Sequence, residues 1–311
     1  MNSHRRRLIH EDRHIPLPRL LPATELMVAD LPERRFLLDP ILTSNTLALL
    51  YGPRGLGKTF LALGIAWAAA SGASFLNWTA SRPHRVLYID GEMAAVDLRE
   101  RLRLLGSASP TLQFLVADLS THSLPDLGYY EGQGRLQEIW GDPELVVLDN
   151  LSSLAGFKSG DPDCWTELQR FLMLQRRSGR AVLVLHHANK EGGQRGTNRR
   201  EDVLDLVMAL RRPADWQPSD GARFELHFEK TRGLRGEAIE PIEAHIQTDN
   251  QGVARWEWRS LQQTELERLV ALVSQGLSAR QAGRELGLSN GTLYRLRNKA
   301  QALGLIDAEG R

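Results

Sequence analysis

Eight consecutive residues, Gly52-Pro53-Arg54-Gly55-Leu56-Gly57-Lys58-Thr59, have the types and spacing that hold a polyphosphate. Glycines let successive backbone N–H groups curl around a phosphate, a lysine supplies a cation, and a hydroxyl supplies a ligand to Mg²⁺. The segment follows an apolar run at 46–51 (TLALLY) and leads into a second at 60–75 (FLALGIAWAAASGASF). A strand therefore enters the loop and a helix leaves it, with the positive end of the helix facing the anion. On this pattern Gly52 to Thr59, with Phe60 beside them, form the nucleotide-binding segment. Lys58 reaches the β- and γ-phosphates, and Thr59 binds Mg²⁺. The loop itself does not encode the base.

A phosphate loop needs acidic partners at neighbouring strand ends. The run at 145–149 (LVVLD) ends in Asp149, placed to hold the water shell of Mg²⁺. The run at 85–90 (RVLYID) continues into Gly91-Glu92, so Asp90 and Glu92 are both candidates to orient or deprotonate an attacking water. Glu92, two residues past the strand and just before a helix, is the better placed. A fourth run, 181–187 (AVLVLHH), ends in His186 and His187.

These residues require an α/β scaffold. The four runs alternate with helical patterns, including 94–105 and 163–177, which is the signature of a mostly parallel sheet covered by helices. From residue 204 onward closely spaced strand-like segments predict antiparallel strands that extend the sheet without further helices. After residue 260 a helical stretch, 264–303, is broken at Gly276 and Gly287 and reads as a small all-α domain. The expected organisation is an N-terminal arm at 1–35, rich in Pro, Arg and His and without a convincing element, an ATPase domain at 36–260, and the helical domain at 261–311.

Composition narrows the function classes. The 39 Lys and Arg against 38 Asp and Glu leave a net charge of +1, so attraction to nucleic acid must come from local patches. The single cysteine, Cys164, rules out an internal disulfide, and no Cys/His cluster suits structural zinc. The apolar run at 60–75 is too short to span a bilayer, and no continuous apolar core follows the charged N-terminus. The expectation is a soluble cytoplasmic protein that does not associate with a membrane.

Residues 278–297 look like a helix-turn-helix. Ser278 caps a short helix that Gly287 ends, and Ser289 or Asn290 caps a second. Ala282, Leu286, Leu288, Leu293 and Leu296 fall on the shared core. The second helix presents Thr292, Tyr294, Arg295, Arg297, Asn298 and Lys299 with no acidic residue, as a helix that reads a DNA groove does.

With these motifs in place, residues 23–259 resemble the RecA-fold ATPases, and within them the RepA family of plasmid replicative helicases, with DnaB-type helicases further away. The specific parts are the phosphate loop, GEM followed by DLRERL, VVLDN, LVLHH with HANKEGGQRGTN, and EKTRGLRG. The resemblance implies that Glu92 is the catalytic base, Asp149 the second acidic motif, and His187, or its neighbour His186, the polar sensor at the strand end. It implies that Lys230 and Arg232 touch the γ-phosphate of a neighbouring subunit, and hence a homo-oligomeric ring, a hexamer. Two loops would line the channel of that ring and follow single-stranded DNA: one with Lys158, the other with Lys190, Arg195, Arg199 and Arg200. The helical appendage is not required by that family.

The expected function is an ATP- and Mg²⁺-dependent DNA helicase or translocase of plasmid or mobile-element replication. Two others compete with it: a DNA-binding regulator that uses ATP as an assembly switch, and a protein-remodelling ATPase.

Overall fold

The computed structural model describes residues 20–31, 33–106, 108–156, 162–188, 202–248 and 254–307. The chain divides into two units, Met1–Glu33 and Arg34–Arg311. In the first, one turn and a half of helix, α1 (Ala23–Val28), stands where the sequence pattern predicts no clear element; it buries none of its residues.

The second unit opens with a small antiparallel pair, β1 (Phe36–Leu38) and β2 (Leu42–Thr43), then β3 (Leu47–Gly52) and α2 (Lys58–Ser71). A second hairpin, β4 (Ser74–Phe75) and β5 (Trp78–Thr79), leads to β6 (Val86–Asp90), α3 (Ala95–Arg103), β7 (Leu112–Val116) and α4 (Tyr130–Ile139). There follow β8 (Leu145–Asp149), α5 (Leu151–Leu154), α6 (Pro162–Arg177), β9 (Ala181–His187) and β10 (Leu206–Arg211). The chain closes with β11 (Arg223–Thr231), β12 (Ile242–Thr248), β13 (Ala254–Ser260), α7 (Leu261–Ser274), α8 (Ala279–Glu285) and α9 (Asn290–Ala302).

Nine strands form one sheet in the order β13-β12-β11-β10-β3-β9-β8-β6-β7. The strands from β10 to β7 run parallel, and β11 to β13 add antiparallel partners at one side. The sequence expectation of an antiparallel extension is corrected at its first strand, since β10 pairs parallel with β3 and antiparallel only with β11. Every residue of β3, β6 and β8 is buried, which is why these strands read as unbroken apolar runs.

Alternate side chains of the parallel strands feed two cores. Ala48, Leu50, Tyr88, Val147 and Leu183 pack with α2 on one face. Leu47, Leu49, Leu87, Val146 and Val182 pack with α4 and α6 on the other. Leu61, Leu63 and Ile65 of α2 are fully buried. Together they contribute roughly 5–9 kcal/mol, well above the cost of about 1 kcal/mol that Gly64 adds inside the helix. Packing, not propensity, holds α2 under the sheet.

Helices α7, α8 and α9 share a core of their own, built from Leu266, Leu269, Val273, Ala282, Leu296 and Ala300, with Leu286, Leu288 and Leu293 packed against it. Ser278 and Gln281 form a reciprocal cap on α8, and Ser289, rather than Asn290, caps α9 through the Thr292 N–H at 3.2 Å. Helix α7 starts three residues earlier than its apolar spacing suggested and also packs on β12 and β13. Arg268 of α7 reaches Asp215 at 2.9 Å and Glu243 at 3.0 Å, where Arg223 of β11 is also bound.

Candidate functional site

The site forms where β3, β6, β8 and β9 end. Register fixes their alignment: Gly52 pairs with His187, and Asp90 with Asp149. Open parallel sheets place ligands beyond the carboxyl ends of their strands, at the point where the chain order reverses. Here β3 is that point, with β9 on one side and β10 on the other.

Two glycines of the phosphate loop have no substitute. A Cβ on Gly52 would meet the Leu210 carbonyl oxygen at 2.9 Å, so β10 lies this close to the loop only beside a glycine. Gly57, at φ +109°, sits in the left-handed region immediately before α2, and its Cβ would meet Ala222 and the Phe224 ring at 3.2 Å. Lys58 and Thr59 open α2, so both side chains start from the positive end of a 14-residue helix. Lys58 Nζ donates to the carbonyls of Gly52 at 2.9 Å and Pro53 at 2.8 Å. Burial lowers the Lys58 pKa to about 8, against the pull of the Asp149 and Glu92 carboxylates.

Asp149 ends β8 and is buried. Its Oδ2 accepts from the Tyr88 hydroxyl at 2.7 Å, and the Thr59 hydroxyl also reaches it. Burial raises its pKa to about 6 in spite of those bonds, so a cation beside it would be favourable. No group of three or more His, Cys, Asp or Glu among the described residues could hold a metal alone. Mg²⁺ does not need one, because it binds through one or two carboxylates together with substrate phosphates. Asp149 and Thr59 fit that requirement.

The structure separates the two acids at the end of β6. Asp90 is 1% exposed, and its Oδ1 accepts the N–H groups of Glu92 at 3.1 Å and Met93 at 2.7 Å. Asp90 therefore fixes the turn. Glu92, with 61% of its side chain exposed, extends into the cleft, where its Oε2 accepts from Asn150 Nδ2 and lies 3.7 Å from His187 Nε2. Burial and the nearby Lys58 cation lower the His187 pKa, which favours the neutral ring. His186, one residue earlier, faces a small apolar space with Leu49, Trp165 and Leu204 instead.

Lys58, Thr59, Glu92, Asp149 and His187 line one cleft of ≈ 450 Å³, together with Arg54, Gly55, Gly57 and Phe60. Three contributors were given no role from the sequence. Arg101 of α3 stacks over the Phe60 ring at 4.5 Å, Asn150 joins Glu92 to His187, and Gly221 with Ala222 closes the side next to Gly57. The only sequence signal for Arg101 is its place on the helix after Glu92.

The structure does not bring Lys230 and Arg232 to this cleft. Thr231 pairs with Leu206, which pairs with Ala48, so both cations lie at the opposite end of β3. Arg232 donates to the Asp202 carbonyl at 2.9 Å and lies 3.5 Å from Asp205 Oδ1. Lys158, Lys190, Arg195, Arg199 and Arg200 lie outside the described residues. On α9, Tyr294, Arg295 and Lys299 are exposed, while Thr292 and Arg297 are half-buried. Thr292 and Arg295 also line a cleft of ≈ 290 Å³ with His227, Glu240 and Glu265.

Residues 13–193 match the family described as "AAA domain". DNA repair protein RadA of Brucella abortus (strain 2308) is 26% identical over 165 residues, covering 51% of this chain and 32% of RadA. The chain thus spans about a third of the length of that curated relative. Among solved structures, the KaiC-like protein PH0186 of Pyrococcus horikoshii OT3 superposes with a TM-score of 0.47 at 15% identity, covering 70% of this chain and 93% of that one.

Proposed function

Because the chain belongs to the AAA domain family, we propose that it is an ATP-hydrolysing, RepA-like helicase or translocase that acts on DNA as a ring, a hexamer. The observation that carries the ATPase part is the convergence of Lys58, Thr59, Glu92 and Asp149 on one cleft. Lys58 and the loop N–H groups bind and orient the β- and γ-phosphates. Thr59 and Asp149 would hold Mg²⁺, which when bound neutralises charge on the phosphates. Glu92, whose carboxylate extends into the cleft, takes the proton of the attacking water.

Hydrolysis in a ring also needs a cation from the next copy. Lys230 and Arg232 support that role by their position, since they lie at the end of the sheet away from their own phosphate loop. A DNA partner is supported by the likeness to a protein named for DNA repair and by the lysines and arginines of the loops 152–161 and 189–200. Strand displacement on a forked substrate tests the reading, with Lys58→Ala as control. ATP-dependent unwinding that the control lacks is expected. No unwinding in any loading geometry removes the helicase assignment and leaves the ATPase.

A second reading, a DNA-binding regulator that uses ATP to assemble, is favoured by the exposed Tyr294, Arg295 and Lys299 on α9. The two differ in stimulation. Single-stranded DNA of any sequence raises turnover in the motor, whereas one duplex site does so in the regulator.

A further inference from the structure

Asn150 is a polar residue of the cleft whose part in the chemistry is not implied by any motif. It follows Asp149 at the end of β8 and is 3% exposed. Its Oδ1 accepts the Ser152 backbone N–H at 3.0 Å and so caps α5. That bond settles which end of the amide is oxygen, and it turns Nδ2 with its two hydrogens the other way. Nδ2 has two neighbours there: Glu92 Oε2, to which it donates, and His187 Nε2 at 3.2 Å.

The hydrogen inventory then assigns the imidazole. An amide nitrogen donates and does not accept, so His187 Nε2 must be the acceptor. A ring nitrogen that accepts carries no proton, so His187 is neutral with its hydrogen on Nδ1. Nδ1 is buried and has no hydrogen-bond partner among the described residues. Without the amide hydrogen, His187 could carry its proton on Nε2 and turn it toward Glu92 Oε2, 3.7 Å away.

We infer that Asn150 is a positioning residue: its amide holds the Glu92 carboxylate and fixes His187 as the Nδ1–H tautomer, so that the ends of β6 and β9 share one hydrogen-bond donor. The inference rests on the reading of Glu92 as the group that activates water. A base that is otherwise exposed is held in one direction, and a displacement of His187 is felt at Glu92. A displacement of a reacting group by about 1 Å costs on the order of 100-fold in rate.

The test uses Asn150→Ser and Asn150→Asp in the full chain. Both keep an oxygen that can cap the Ser152 N–H, so α5 is retained, and neither has the amide hydrogens. ATP turnover is measured beside nucleotide affinity, and ¹⁵N spectra of histidine-labelled protein report the His187 tautomer, with His187→Gln identifying the signal. The expected result is the Nδ1–H form in the wild type, movement toward the Nε2–H form in Asn150→Ser, and a fall in kcat of roughly 100-fold with KM nearly unchanged. An Nε2–H wild type, or variants with unchanged tautomer and unchanged kcat, overturns the inference. If the wild type turns over no ATP, the reading of Glu92 fails by itself, and the tautomer in the same samples still decides whether Asn150 holds His187.

Discussion

Two buried charges set the working range of the cleft. Asp149, raised to about 6, takes up a proton below that pH and loses its hold on a cation. Lys58, lowered to about 8, gives up its proton above that pH and loses its attraction for phosphate. Affinity for Mg²⁺ and nucleotide together is therefore highest between the two, and falls on either side by up to about tenfold per pH unit. Titration calorimetry across the range checks this, and a flat profile would contradict it. Tyr88→Phe removes the hydroxyl that donates to Asp149 at 2.7 Å. At neutral pH, where Asp149 is ionised, the loss costs about 1–3 kcal/mol of stability. It is smaller once the medium is acidic enough to protonate Asp149. Urea unfolding at the two pH values measures the difference. At this scale the sequence named most of the side chains but not their division of labour. Position after the strand already favoured Glu92 over Asp90 as the base, but the role of Asp90, closing the turn onto the N–H groups of Glu92 and Met93, shows only in the structure.

Among the elements, the most informative is the junction of β3 and α2. Gly57→Ala puts a side chain at φ +109° and against Phe224. The left-handed conformation alone costs about 1–2 kcal/mol; the loop shifts to relieve it, and nucleotide affinity falls. A binding titration alongside thermal unfolding separates the two effects. The central strands were legible because both of their faces are buried, which leaves no polar residue to interrupt the run. Helix α4 was not, because Gly132 and Gly134 dilute its pattern. A Cβ at Gly132 would lie 2.0 Å from the Asp126 carbonyl oxygen, so a close backbone approach outweighs helix propensity there. The pairs β1/β2 and β4/β5 have strands of two or three residues, too short to show a period. The direction of β10 was misread because an apolar run does not encode the orientation of its partner, although its unbroken burial from Leu206 to Leu210 fits a central parallel strand.

Across the molecule, one ion-pair network ties the C-terminal helices to the wall of the cleft. Arg223 binds Glu243 at 2.8 Å, Asp220 at 2.9 Å and Asp215 at 3.0 Å, and Arg268 of α7 binds Asp215 and Glu243. The residue before Arg223 is Ala222, which meets the phosphate loop at Gly57. Glu243→Ala removes the buried carboxylate that both guanidinium groups share, while Asp215 and Asp220 still bind them, and costs about 1–3 kcal/mol. Guanidinium unfolding measures the loss; a change under about 1 kcal/mol would class the network as a solvated surface pair. The sequence does not give this network, because Arg223, Glu243 and Arg268 stand on three separate elements and each reads as an ordinary surface charge.

In the proposed ring, a nucleotide held in the loop between β3 and α2 is hydrolysed with help from an adjoining copy of the chain. Mixing two defective variants tests it most directly. Lys58→Ala lacks the cation of the phosphate loop, and Arg232→Ala lacks the cation assigned to the neighbour's site. Each alone should turn over ATP far more slowly than the wild type, and a mixture should regain turnover, because some interfaces then combine an intact loop with an intact arginine. A mixture no more active than the average of its components, or an Arg232→Ala protein as active as the wild type, would rule out hydrolysis in trans.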